Sequence, residues 1–464
     1  MRASDQVLTV AQMVAAEQAL IAGGETVDSL MQTAGKGAAD WVWRVAARRP
    51  VTVLCGPGNN GGDGYVIAEA IRARGGDAAV LAPMEPATDA ARNAAKLYKG
   101  ERLSGAGEAR GGVLVDCLFG SGLARPLSPD LVLLLRDLAL SHRHCIAVDL
   151  PSGIESNSGT PLNEGLPRNH LTIALGAWKF AHFLAPASTT MGAKRLVPIG
   201  VEEVEGAARA IRKPHLSAPA ADAYKYSRGL LAVVGGEMPG ASVLAAGAAM
   251  HGGAGYAKLL AEAPPPGAPP ELVTDTAPLA EALADRRIDA ILIGPGLGRS
   301  EAAKQRLIAA LASRRPAVLD ADALVLLAPD LLPEGVPIIA TPHEGELETL
   351  CRAFAIVAAS KGERAAALAK ASGMVVVAKG PDTVIAAPDG ALFLADAATS
   401  WLSTAGTGDV LAGLAASRLA TGAEPTQAAC QAVWLHGEAA RLAGPAFTAG
   451  DLARAVPAAM AACL

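Results

Sequence analysis

The chain has 464 residues, of which 51% are apolar, 18% charged and only 3% aromatic, with a formal net charge of −5. That length exceeds what one hydrophobic core usually serves, so two domains are expected. The composition excludes a disordered chain, and the weak negative charge gives no basic field for nucleic acid or an anionic membrane. Cys55, Cys117, Cys145, Cys351, Cys430 and Cys463 are scattered without a CxxC or Cys/His spacing, which implies neither zinc nor a disulfide framework; most are expected to be small buried hydrophobes. The segment MRASDQVLTV carries no apolar run, and no stretch of about eighteen uncharged apolar residues follows it. A cytoplasmic homo-oligomer acting on small molecules, with no nucleic acid or membrane partner, is the expectation.

From about residue 10 to 48 the apolar positions recur with helical period, as in VAQMVAAEQALIAGG and VDSLMQTAGKGAADWVWRVAARR. Short β-rich runs then alternate with helix-length stretches: VTVLC at 51–55, AAVLA at 78–82, GVLVDCLF at 112–119, CIAVDL at 145–150 and LTIALG at 171–176. That alternation predicts βαβ units and a doubly wound, mostly parallel sheet. Over 201–223, VEEVEGAARAIRKPHLSAPAADA mixes charges, Pro and Ala without sheet periodicity and reads as a linker. The alternation restarts with GLLAVVGG at 229–236, DAILIGPGLG at 289–298, PAVLDADAL at 316–324, PIIATPHEGE at 337–346 and MVVVAKG at 374–380. A second α/β unit is therefore expected, closed by a helical region over 408–444.

In GPGNNGGDG a strand is expected to end at Cys55 and a helix to begin near Gly64, the glycines allowing positive φ and close backbone approach. Such a loop at the carboxyl edge of a parallel strand is where phosphates bind in open α/β sheets. It is not GxGxxG, and no GK[ST] follows, so the dinucleotide fingerprint and the P-loop both fit poorly. The side chains of Asn59, Asn60 and Asp63 can reach a ligand there. VDCLFGSGLARPL at 115–127 sets Asp116 at a second strand end before a Gly-Ser-Gly loop, and VDLPSGI at 148–154 sets Asp149, Pro151 and Ser152 at a third. Each alone is turn chemistry; together they define one crevice. Asp149, a strand-end carboxylate in a polar crevice, is expected to carry little packing.

MVAAEQALIAGGETVDSLMQTAG, GPGNNGGDGYVIA, DCLFGSGLARPL and VDLPSGI resemble the NAD(P)H-hydrate epimerase family over residues 1 to about 210. The resemblance implies a Rossmann-like epimerase domain. In it Asn59, Asn60, Gly61, Gly62 and Asp63, with Gly120, Ser121, Gly122, Leu123, Ala124, Arg125 and Pro126, hold hydrated NADH or NADPH, and Asp149 contacts the reacting ring. It also implies that Asn60, Asp116 and Ser152 ligate a potassium ion (K+), which suits hard oxygen donors with one charge better than zinc or calcium would. The hydrate bears a hydroxyl on C6 beside the ring nitrogen, a carbon that can lose water and regain it from the other face, and a carboxylate such as Asp149 can shuttle the proton. GAWKFAHFLAPAS at 176–188 keeps Lys179 but surrounds it with bulkier residues than the family's, a departure in the pocket wall.

STAGTGDVLAGLAASRLATG, from residue 403, sets Asp409 among glycines at the start of an apolar, helix-like stretch. A bare backbone at a helix start lets several N–H groups point at one phosphate, with Asp409 beside them as base; a helix-capping aspartate after a flexible loop is the plainer reading. The stretch resembles the signature of the ribokinase-like superfamily. KYSRGLLAVVGGEMPGASVLAAGAAMHGGAGYAKLL, IGPGLGR, LDADAL, TPHEGELETL and AKGPDTVI resemble the NAD(P)H-hydrate dehydratase family over about 223 to 464. The resemblance implies that Ala241, Gly298 and His343 face the hydrate and that Asp409 acts on it. Lys379, Gly380, Pro381, Asp382, Thr383, Val384 and Gly408 would hold the adenine nucleotide. Alone, His343 reads as a packed or capping histidine; its Thr-Pro-His-Glu-Gly-Glu setting points to the ligand. ADP with Mg2+ on its phosphates is the expected donor, as in bacterial bifunctional members with this domain order. Where the family has Asn after LDADAL, Val325 stands here, and a polar contact is lost. By the resemblance, phosphorylation of the C6 hydroxyl and elimination restore the dihydronicotinamide of the S form, and the fused epimerase supplies that form. A small-molecule kinase fused to a non-catalytic nucleotide- or RNA-binding module is the alternative.

Overall fold

A computed structural model describes residues 3–109 and 111–464, and the chain divides into two compact units, one reaching to Arg209 and the other spanning Ala210–Leu464. The first unit runs β1 (Gln6–Leu8), α1 (Val10–Ala22), α2 (Val27–Ala46), β2 (Val51–Cys55), α3 (Asn59–Ala73), β3 (Ala78–Leu81), α4 (Asp89–Leu97), β4 (Glu101–Leu103), β5 (Val113–Cys117), α5 (Pro129–Ser141), β6 (His144–Val148), β7 (Leu171–Leu175), β8 (Trp178–Lys179) and β9 (Ala193–Val197); β10 (Ala208–Ala210) straddles the division. Thr9 starts α1 with a capping box, its hydroxyl accepting from Gln12 N while its own N–H donates to Gln12 Oε1. On α2, Met31, Ala34, Ala38 and Val42 fall at helical spacing and are buried against the sheet.

Seven parallel strands form the main sheet in the order β4-β3-β2-β5-β6-β7-β9. The central strands β2 and β5 are buried along their whole length and, Thr52 and Asp116 apart, apolar, as strands covered on both faces must be. The order reverses between β2 and β5, which opens a crevice at their carboxyl ends. Beside the sheet, β1 pairs in parallel with β8 and antiparallel with Ala208 and Arg209.

The second unit runs β11 (Leu230–Val234), α6 (Pro239–His251), β12 (Tyr256–Leu260), β13 (Val273–Asp275), α7 (Leu279–Leu283), β14 (Ile288–Ile293), α8 (Glu301–Ala312), β15 (Ala317–Leu319), α9 (Asp322–Leu326), β16 (Ile338–Ala340), α10 (Glu344–Ala353), α11 (Lys361–Ser372), β17 (Val375–Ala378), β18 (Val384–Ala386), β19 (Leu392–Leu394), α12 (Thr407–Ala420), α13 (Pro425–Ala443) and α14 (Ala449–Cys463). Strands β13-β12-β11-β14-β15-β16-β17 are parallel, and β18 and β19 extend the sheet antiparallel. Helices α6, α12, α13 and α14 cover one face of the sheet and α8, α10 and α11 the other. The helical region expected over 408–444 is two helices, α12 and α13, and α14 follows beyond it. Among the described residues no helix is long and apolar enough to cross a membrane. Five of the cysteines are buried, and Cys430 is half-buried.

Candidate active sites

The glycine-rich loop after β2 departs from expectation in two ways. Helix α3 begins at Asn59, not near Gly64, with Gly58 as its N-cap, and none of Gly56, Gly58, Gly61, Gly62 and Gly64 uses a positive φ. The glycines are there for space: a Cβ on Gly56 would lie 1.7 Å from Leu118 O, one on Gly61 1.9 Å from Gly56 O, and one on Gly64 2.7 Å from Cys55 Sγ. The helix can therefore start at once, with the N–H groups of Asn59–Gly61 in its first turn lacking intrahelical partners and Gly62 N donating to Gly58 O.

Three neighbouring strand ends meet there. Gly120 is wedged between Asp149 Oδ2 and the Asn60 amide, 2.7 and 3.2 Å from where its Cβ would be. With its amide turned to suit both neighbours, Asn60 donates to Val148 O and accepts from Gly120 N, each at 3.3 Å. Asp149 lies at φ 64°, a left-handed conformation unusual for a residue with a side chain. Its Oδ2 accepts from Ser121 N at 2.8 Å, its Oδ1 pairs with Lys179 Nζ at 2.6 Å, and its carbonyl lies 2.9 Å from His182 Nε2. Burial alone would raise its carboxyl, but the Lys179 ammonium and the Ser121 hydrogen bond outweigh that and hold it below the ordinary range. Lys179 is itself 1% exposed and also donates to Leu175 O. The expectation that Asp149 carries little packing is thus corrected: it is half of a buried ion pair, and its removal strands an ammonium in the interior.

Asp116 Oδ1 accepts from Ser152 Oγ at 2.7 Å and from Leu118 N at 3.1 Å, and its Oδ2 accepts from Ser152 N at 2.9 Å. Asp63 is buried; burial, with Asp149 and Glu17 adding to it, pushes its carboxyl well up. Asn59 turns aside to accept from Thr88 Oγ1, and Gly122, Ala124, Arg125 and Pro126 are exposed while Leu123 packs on the core.

In the second unit the carboxyl ends of five neighbouring strands line one edge. Gly406, at φ 89°, caps α12, and a Cβ on it would strike Leu244 and Ala449 within 2.9 Å. Asp409 follows in the first turn. Lys379 Nζ lies 3.4 Å from where a Gly408 Cβ would be and pairs with Asp320 Oδ1 at 2.6 Å, an oxygen that also accepts from Thr341 Oγ1. Burial, then the nearby Asp320, push Asp409 up to about 6 against the pull of Lys379. The GPGLG loop packs on the start of α6: Met238 N donates to Gly296 O, Ser242 Oγ to Pro295 O, and Gly298 N to Asp322 Oδ2, with Ala241 against Gly296 and Glu237 against Gly298. His343 is the N-cap of α10, its Nδ1 accepting from Gly345 and Glu346 N, and its side chain is 62% exposed. Asp382 is held by Lys361, whose Nζ lies against Gly380; Thr383 Oγ1 donates to Gly380 O, and the Val384 side chain is buried in β18. Val325 is half-buried in α9. Asp320, Thr341 and Glu237 escaped the sequence reading as site residues, although all three lie inside quoted stretches, LDADAL, TPHEGELETL and KYSRGLLAVVGGEMPGASV.

Two doubly wound units, each with a carboxylate beside a glycine-lined helix start at its carboxyl edge, define a two-site α/β enzyme. The family described as NAD(P)H-hydrate dehydratase matches residues 231–460, and that described as YjeF-related protein N-terminus matches 27–181. The bifunctional NAD(P)H-hydrate repair enzyme Nnr of Gloeobacter violaceus is 34% identical over 475 residues, covering 92% of each chain, and that of Salinibacter ruber is 34% identical over 502 residues, covering 94% of this chain and 92% of its own. The chain belongs to this family of bifunctional NAD(P)H-hydrate repair enzymes, which favours that reading over the fused kinase. The crystal structure of a Bacillus subtilis ADP/ATP-dependent NAD(P)H-hydrate dehydratase, co-crystallised with ATP/Mg2+, is 27% identical and covers 55% of this chain and all of that one, at a TM-score of 0.46.

Proposed function

We propose that this chain restores hydrated NADH and NADPH in two steps, residues 1–210 interconverting the R and S forms and residues 223–464 dehydrating the S form with ADP as phosphoryl donor. In the first step the C6 hydroxyl takes up a proton and leaves as water as the ring-nitrogen lone pair forms the N1=C6 bond, water returns to the other face, and Asp149 takes its surplus proton. Lys179 keeps that carboxylate ionised, and Ser121 N–H fixes one of its oxygens. In the second step Asp409 takes the proton of the C6 hydroxyl as it attacks the terminal phosphoryl group of ADP, which enters as its magnesium complex. The N–H groups at the start of α12 and the Lys379 ammonium receive the charge of the transferring group. AMP leaves, and loss of phosphate from C6 together with a proton from C5 forms the C5=C6 bond and restores the dihydronicotinamide. Ala241, Gly298 and His343 bind the hydrate; Lys379 to Val384 and Gly408 bind the nucleotide.

The observation that carries this reading is the contrast between two carboxylates at glycine-lined edges: Asp149 is held as the anion, and Asp409 is pushed up to about 6, where a base for a hydroxyl is useful. Incubation with hydrated NADH of mixed configuration and ADP should return the reduced cofactor completely, read by its absorbance; no ADP-dependent return overturns the proposal.

Asn60, Asp116 and Ser152 would hold K+. They fit it: the donors are hard oxygens, and among the described residues no ion pair engages the buried Asp116, so its charge lacks a counter-ion. The ion supplies positive charge beside the substrate loop. Exchange of K+ for tetramethylammonium is expected to slow interconversion, and indifference to the exchange removes the ion from the reading.

A further inference from the structure

We propose that Glu17 is the second proton-handling group of the first site, serving the face of the hydrate that Asp149 does not. The inference rests on the epimerase reading of the first unit. Strand β1 pairs Leu8 with Lys179 and passes directly into α1. The inner face of α1 is marked by Met13, which is buried with Ala177 and whose Cε lies 2.4 Å from where a Gly176 Cβ would be. Glu17 is one turn further along the same face and is half-buried. It is near enough to feel the charges of Lys179 and Asp149, and Asp63 feels its own.

Yet among the described residues the Glu17 carboxylate joins no ion pair and no hydrogen bond. Lys179 is already committed to Asp149 and to Leu175 O. The half-buried Glu17 carboxylate thus lies near the buried ammonium without closing on it, and the proposal sets the C6 hydroxyl of the hydrate between them. Burial, opposed by Lys179 and reinforced by Asp149, shifts Glu17 toward the protonated form that a donor needs.

Moving a hydroxyl from one face of a ring to the other takes a group that gives a proton to the leaving oxygen and a group that takes one from the incoming water. Asp149, held as the anion, starts as the acceptor. Glu17 gives its carboxyl proton to the C6 hydroxyl, the C6–O bond breaks, water leaves, and the nitrogen lone pair forms the N1=C6 bond. Water then adds from the opposite face, that electron pair returns to nitrogen, and the surplus proton passes to Asp149. The reverse turnover exchanges the roles, and solvent resets both carboxyls.

The test uses the full chain. Separated R and S forms are followed by chromatography without nucleotide, above the spontaneous rate, for wild type, Glu17→Gln and Glu17→Asp. Glu17→Gln is expected to lower kcat about a hundredfold or more with KM little changed, and Glu17→Asp to recover part of the loss. ADP-dependent dehydration of the S form stays at the wild-type rate in both. Wild-type kcat in Glu17→Gln, or a raised KM with kcat intact, overturns the assignment and makes Glu17 a wall of the pocket. A wild-type chain that does not interconvert the two forms overturns the epimerase reading itself, and the assignment falls with it.

Discussion

A carboxylate at its ordinary pKa is a weak base for a hydroxyl, and Asp409 is moved toward usefulness by burial and by Asp320 rather than by any direct hydrogen bond. Asp409→Asn should therefore lower ADP-dependent dehydration by about 10²–10⁴-fold and leave interconversion of the epimers intact. In the wild type, kcat/KM for dehydration should fall about tenfold per pH unit below about pH 6, where the base is protonated, and level off above it. Stability carries the matching sign. The folded chain holds this proton more tightly than the unfolded chain, so the free acid stabilises at low pH, and that contribution is lost as pH rises from the ordinary 3.8 through about 6. Asp409→Asn is thus expected to melt above the wild type beyond pH 6 and to converge with it in acid; a melting difference indifferent to pH would remove burial as the cause. Asp409 and Asp149 were legible in the sequence because each stands in a distinctive local string. The Lys179 pairing was not, since residues 149 and 179 meet only once β7 is laid beside β6 and the chain turns into β8 against β1.

At the scale of elements, the strands that could be read were the buried apolar ones, whose runs of Val, Ile and Leu stand out between helices. Those missed were polar or short: β9 reads AKRLV with alternating exposure, and β12 carries Lys258 in its middle, neutralised by Asp275 and Asp285. The start of α3 was misplaced because a run of glycines looks like a loop, whereas here it permits contact between backbones. His343 shows the opposite lesson: a motif suggested a ligand contact, and the geometry also makes it a helix cap. The glycine account separates two neighbouring substitutions. A Cβ on Gly61 meets backbone that no side-chain rotation can clear, while one on Gly58 meets nothing within 4 Å at a negative φ. Gly61→Ala should lower stability by about 1–3 kcal/mol and abolish interconversion, whereas Gly58→Ala should change melting little. Equal effects in a melting series would show that the loop yields.

For the whole molecule, the chemistry proposed at the first site leaves nothing bound covalently to the chain, and its product is the same small molecule with one centre inverted. That product can reach a second site through solution, so the two activities need not lie on one polypeptide. Asp149→Asn should return the S fraction of hydrated NADH quickly and the R fraction only at the spontaneous rate, and Asp409→Asn should return neither. Asn keeps an acceptor for Ser121 N–H but leaves the buried Lys179 ammonium without its partner, so this variant is expected to lose about 3 kcal/mol, and its fold is checked by melting before use. An equimolar mixture of the two full-length variants should recover both fractions, with the slow phase at least ~10-fold faster than in Asp149→Asn alone, a conservative share of the effect of an acid–base group. That phase should quicken in proportion to the Asp409→Asn chain supplied, as a freely diffusing intermediate requires. A mixture no faster than Asp149→Asn by itself, with both variants folded and each retaining its other activity, would mean that the inverted hydrate passes between sites of a single chain without entering solution.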